Sequence, residues 1–131
     1  MNILSEEAAM LYRIAVEDYK AFRKLIDDSE IDLRIAAFFG QQTVEKLFKA
    51  VLAGKMAIFP PTHNLVKLAE LLQEAGAPSP TPVDVLKRLN PYAVVFRYDD
   101  RDIPTISRDM ARDQVEALLA WAEQQLHNSS G

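Results

Sequence analysis

The stretch Asp32–Ala53 constrains this chain more than any other. Leu33, Ala36, Ala37, Gly40, Val44, Leu47, Phe48, Val51 and Leu52 recur at steps of three and four, the period of one helix face. Gly40 falls on that face. A mid-helix glycine costs roughly 1 kcal/mol against alanine, and close approach of a second helix is its simplest reason. A second stripe (Ile35, Phe38, Phe39, Gln42, Glu45, Lys46, Lys49) begins aromatic and ends charged. The helix thus offers an apolar seam to its own core and a mixed face to something else. On the mixed face, Glu45 and Lys49 are spaced for an exposed i,i+4 ion pair. Phe38 and Phe39 make a candidate dimer interface.

Apolar positions repeat with the same period elsewhere. Ser5-Glu6-Glu7 has the hydroxyl and acids of a helix start, and Ala8, Leu11, Ala15, Tyr19, Phe22 and Ile26 continue it to about Ile26. Asp18 lies one step off that stripe, as either a solvated edge carboxylate or a buried acid with a shifted pKa. Ser29 with Asp32 resembles a capping box, so the second helix starts near there and ends near Gly54, antiparallel to the first. Thr62 is the expected N-cap of a third helix, opened by His63 and Asn64 and stopped by Gly76. Thr81, Pro82 and Asp84 supply the cap, N1 proline and N3 acid of a fourth. Pro91 should kink or stop that helix, with Tyr92–Phe96 continuing it. Arg97–Thr105 reads as a polar loop, and a fifth helix starts near Ser107 and frays after about Leu126. The sum is an all-α, antiparallel up-and-down bundle of about five helices.

Length and charge narrow the function. At 131 residues the chain is one domain, 1–131, able to bury roughly two-thirds of its unfolded surface. Its net charge of −4 gives no broad attraction for nucleic acid or anionic membrane. Without cysteine it has neither disulfide nor thiolate metal site. No secretory signal and no membrane-spanning apolar run is present, which makes a cytoplasmic protein the expectation.

The polar residues hold few chemical patterns. HExxH, GxxxxGK[ST], GxSxG and Glu-x-x-His are all absent. Asp99, Asp100 and Asp102 around Arg101 have oxygen ligands for a divalent ion, but an acid-rich loop is ordinarily solvated, so no metal or cofactor is expected. Arg97 and Tyr98 pair a planar phosphate fork with a stacking ring. The alternative is an arginine tied to a neighbouring acid beside a rim tyrosine. Gln42, Lys46 and Lys49 add donors from the second helix. His63 reads as a helix-terminal structural residue, and His127 as solvated.

Three segments carry a resemblance. Phe39-Gly40-Gln41-Gln42-Thr43-Val44-Glu45-Lys46-Leu47-Phe48-Lys49-Ala50 resembles the F-x-Q-Q-A-x-E-K-x-L-K-A signature of HEPN domains, the higher eukaryote and prokaryote nucleotide-binding family. Pro61-Thr62-His63-Asn64-Leu65 is similar to its P-x-T-H-x-L, and Phe96-Arg97-Tyr98 to its late x-x-R-Y. The order is right and the span covers nearly the whole chain. The resemblance implies a compact five-helix module that homodimerises and accompanies a minimal nucleotidyltransferase in toxin–antitoxin-like pairs. It also implies a nucleotide phosphate site at Arg97, Tyr98, Lys46, Lys49 and Gln42. Many HEPN members are ribonucleases whose motif is an arginine, four to six intervening residues, then a histidine. Here Met56, Ala57 and Ile58 stand before His63, and Ala120, Trp121 and Ala122 before His127, which argues against that route. A second reading, an RNA-cleaving toxin, would need His63 as acid–base and Arg97 as phosphate holder.

Overall fold

Ser5 starts the first helix as its sequence predicts. In the computed structural model, which describes residues 5–94 and 105–130 (the last three by backbone alone), Ser5 Oγ accepts the Ala8 amide at 3.0 Å. From that cap α1 runs over Glu6–Ile26, with Glu6 and Glu7 at its positive end and Arg23 and Lys24 in its last turn. Asp32 caps α2 (Leu33–Gly54) by accepting the Arg34 amide at 2.8 Å. The cap is thus Asp32 itself, three residues after Ser29. Then come α3 (Leu65–Glu74), α4 (Val83–Leu89), a 3-10 turn (Asn90–Ala93) and α5 (Arg108–Ser130). Among the described residues there is no strand, and no helix is long and apolar enough to cross a membrane.

α1 and α2 form an antiparallel hairpin, and α2 also packs on α5 and α3. Phe22 of α1 lies against Gly40: a Cβ on the glycine would come within 2.9 Å of its ring. That is the close approach the glycine predicts. Phe22, Phe48, Leu47, Leu52, Leu68, Leu86 and Leu118 are fully buried between the helices. Trp121 of α5 meets Phe48 edge-on, with ring centroids 5.8 Å apart. The Arg108 guanidinium, at the start of α5, donates to the carbonyls of Leu25, Ile26, Asp28 and Ile31. It therefore satisfies the open end of α1 and anchors α5 to the α1–α2 turn.

Four boundaries differ from expectation. α3 is capped by Asn64, whose Oδ1 accepts the amides of Val66 and Lys67, while Thr62 Oγ1 turns back onto the Asn64 amide. His63 therefore precedes the helix rather than opening it. In α4 the extended residue is Pro82 and the helix begins at Val83, so Thr81 lies outside and makes no cap bond. Pro91 sits in the 3-10 turn, where its missing amide is tolerated, and Val94 is already extended, so the α-helix does not continue. α5 runs through Ser130 instead of fraying after Leu126. Its start agrees: Ser107 Oγ accepts the Met110 amide at 3.0 Å.

α2 and α3 end in the same way. Ala57 N–H donates to Leu52 C=O and Met56 N–H to Ala53 C=O, just as Ala77 donates to Leu72 and Gly76 to Gln73. Both are left-handed stops, at φ 60° for Met56 and 83° for Gly76. Glycine adopts that conformation freely, whereas methionine adopts it at a cost.

Candidate functional site

Thirteen of the 22 residues of α2 are buried, more than one face of a helix can supply. The excess is polar. Gln41, Thr43 and Glu45 are all enclosed. Thr43 needs no outside partner, since its hydroxyl donates to the Phe39 carbonyl one turn back at 2.7 Å. Gln41 and Glu45 need partners and find them. Glu45, expected on the exposed mixed face, has a side chain only 2% exposed. α2 is enclosed by neighbours on several sides, so the mixed stripe is drawn partly inward.

The carboxylate of Glu45 is held by three donors. Lys49 Nζ reaches Oε2 at 3.0 Å, which keeps the expected i,i+4 pair but places it inside. His63 Nδ1 lies 2.9 Å from Oε1, and Gln41 Nε2 donates to the same oxygen at 3.3 Å. Gln41 Nε2 also donates to the backbone carbonyl of His63 at 3.1 Å. The loop that carries His63 is thereby tied to α2 through both ring and main chain. A second row runs alongside: Lys46 Nζ donates to Gln42 Oε1 at 2.9 Å, and Gln42 Nε2 donates to Gln41 Oε1 at 2.7 Å. The two rows make one network from Lys46 to His63.

Electrostatics explain how a buried carboxylate stays charged. Burial alone would raise the Glu45 pKa, but hydrogen bonds from Lys49 and His63, with the Lys49 and Lys46 charges, outweigh it and hold Glu45 below its ordinary value. Asp18 on α1 is half-buried, and desolvation raises its pKa, with Lys46 opposing and Glu45 reinforcing the shift. Asp18 thus combines the two readings, a helix-edge carboxylate near a lysine and an acid shifted by partial burial. Lys46 thus stands between two carboxylates. The Lys49 side chain is 13% exposed, whereas that of His63 is 72% exposed. A buried acid therefore steadies a ring that faces outward.

His63 is further fixed from the α4 side. Asn90 Oδ1 accepts the Leu65 amide at 2.8 Å, and its Nδ2 donates to Asn64 Oδ1 at 3.0 Å. The residue next to His63 is thus pinned to the 3-10 turn, while its ring is pinned to α2.

The structure brings Gln42, Lys46, Lys49 and His63 into this network, and adds Gln41 and Glu45, to which sequence reasoning gave no binding role. Their signal was present: Gln41, Glu45 and Lys49 lie at steps of four, and Gln42 and Lys46 repeat that step one residue on. Arg97 and Tyr98, like Asp99, Asp100, Arg101 and Asp102, lie outside the described residues. Phe38 and Phe39 sit toward the other end of α2, both half-buried, their rings edge to face at 5.3 Å. Phe39 packs on the core, and Ile35, one turn before Phe38 and Phe39, is 44% exposed. His127 is exposed. Among the described residues no three His, Cys, Asp or Glu side chains gather as a metal would require.

Compared with known proteins, residues 8–127 match the family model described as HEPN domain. No curated protein and no solved structure matches.

Proposed function

The chain belongs to the HEPN domain family, and from that premise we propose that it is a non-catalytic nucleotide-binding module whose ligand site is the polar network on α2 and His63. One observation carries this reading: Glu45 is buried as a carboxylate to hold an exposed ring. Removing a carboxylate from water costs several kcal/mol, and apolar residues of similar volume would serve stability at least as well. A charge kept there at that cost supports a role outside the core. In this reading Lys46 and Arg97 take the phosphate and Tyr98 stacks on the base. Gln42 and Lys49 keep the row in register. Isothermal calorimetry with ATP tests it. Saturable heat, weakened by Lys46→Ala and Arg97→Ala, is expected, and no heat at millimolar ATP would reject it.

The same reading includes a homodimer and a nucleotidyltransferase partner in a toxin–antitoxin-like system. Ile35 and Phe38, on one stripe of α2, are the dimer patch. Light scattering should give a dimer that Phe38→Asp dissociates; a monomer at micromolar concentration would refute it. An RNA-cleaving activity is the second reading, favoured by the carboxylate-backed, exposed ring of His63. It requires that His63→Ala and Arg97→Ala abolish cleavage by the purified protein. Intact RNA after incubation with the wild type would dismiss it.

A further inference from the structure

Glu45 and His63 together decide which kind of ligand atom the site can accept. An ionised carboxylate has no proton to give and can only accept hydrogen bonds. Its partner at 2.9 Å, His63 Nδ1, must therefore carry the proton. In a neutral imidazole the other nitrogen, Nε2, is then a bare acceptor. With the side chain 72% exposed, that acceptor is available to a ligand. The alternative tautomer would set the Nδ1 lone pair against the carboxylate. The other two contacts agree, since the Gln41 amide nitrogen and the Lys49 ammonium are donors too, so both Glu45 oxygens act as acceptors.

We propose that Glu45 is a positioning residue that locks His63 with Nε2 as acceptor, so that the site selects a nucleotide through a ribose hydroxyl. The proposal rests on the nucleotide-binding reading and adds the ligand feature that the site reads. A phosphate oxygen is an acceptor and is mismatched to a neutral Nε2; a hydroxyl is a donor and is matched. The ammonium of Lys46, on the adjoining row, is matched to phosphate. The two ends of the network thus recognise the two polar parts of one molecule, a nucleoside phosphate with a ribose. The charged groups facing this arrangement are Lys49 and Lys46 on α2 and Asp18 on α1.

The ligand test is calorimetry of the full chain with ATP, 2′-deoxy-ATP and 3′-deoxy-ATP at about pH 8, where an ordinary imidazole is neutral. Loss of the hydroxyl read by Nε2 should weaken binding by about two- to ten-fold, the range of one net hydrogen bond at an exposed site. His63→Ala should bind all three alike. Glu45→Ala should lose the preference while still binding ATP, because no acceptor then holds the ring proton on Nδ1. Equal affinities for all three nucleotides in the wild type would overturn the proposal and leave nucleotide binding standing. No heat with any of them would overturn both. Independently of any ligand, nitrogen NMR of the wild-type ring should find the proton on Nδ1 alone, and shared between the two nitrogens in Glu45→Ala. A wild-type ring protonated on Nε2, alone or together with Nδ1, would overturn the proposal.

Discussion

Replacing Gly40 with alanine adds one methyl where Phe22 of α1 lies against the α2 backbone. Two effects oppose each other. Alanine favours the helix by about 1 kcal/mol over glycine. The new Cβ would stand 2.9 Å from Phe22 Cε1 and 3.1 Å from Cδ1, with Val115 Cγ2 in ordinary contact at 3.5 Å. Phe22 is fully buried, so its ring has no solvent to swing into. Overpacking of this kind costs roughly 1–3 kcal/mol. The clash should win by about 1 kcal/mol, which lowers the melting temperature of a domain of this size by about 4 °C. Thermal unfolding followed by circular dichroism reads that shift. The same change in a Phe22→Leu background, where the ring is gone, should become neutral or stabilising, a coupling of about 1 kcal/mol or more in a double-mutant cycle. Gly40→Ala melting at or above the wild-type temperature would show that propensity governs and that the close approach does not.

The remaining predictions concern charge and caps. Glu45 has a lowered folded pKa, so its contribution is fully present above the unfolded value of about 4.3 and is lost as pH falls through the folded one. Urea unfolding between neutral and acidic pH should therefore show a smaller acid loss in Glu45→Gln than in the wild type, and equal slopes would contradict the buried pair. Asp18 has a raised folded pKa, so its ionisation opposes folding as pH rises from the unfolded toward the folded value. Asp18→Asn should flatten the profile in the opposite sense to Glu45→Gln. Met56→Gly should stabilise by about 1 kcal/mol, and Gly76→Ala should destabilise by a similar amount, because both sit at a left-handed helix stop. Opposite signs in denaturant midpoints are the check. Arg108→Ala should cost about 1.5–3 kcal/mol by stripping the α1 terminus of its guanidinium, with Arg108→Lys restoring only part of it. Full rescue by lysine would show that charge alone suffices.

Helix content and order were legible because they depend on neighbours three and four residues away. The apolar stripe of α2, the Ser5 and Ser107 caps and the glycine stop of α3 are all local, and each appears where the pattern puts it. The helix-start rules faltered where two cap residues compete within a few positions, as Thr62 and Asn64 do, because the side chain that reaches two amides wins over the one that reaches none of the helix's own. The resemblance in Phe39–Ala50 and Pro61–Leu65 reached the right family.

The sequence by itself determined an all-helical chain, its family and the neighbourhood of its polar residues, because short-range periodicity and motif spacing survive without a fold. Only the tertiary structure decided that Glu45 lies inside, that Gln41 grips the His63 carbonyl, and that the His63 ring is held by one nitrogen while facing outward. Those facts join residues 18 and 22 positions apart. No periodicity encodes such a pairing. It follows from how many sides of α2 are covered, and burial is a property of the whole packed chain rather than of any one segment.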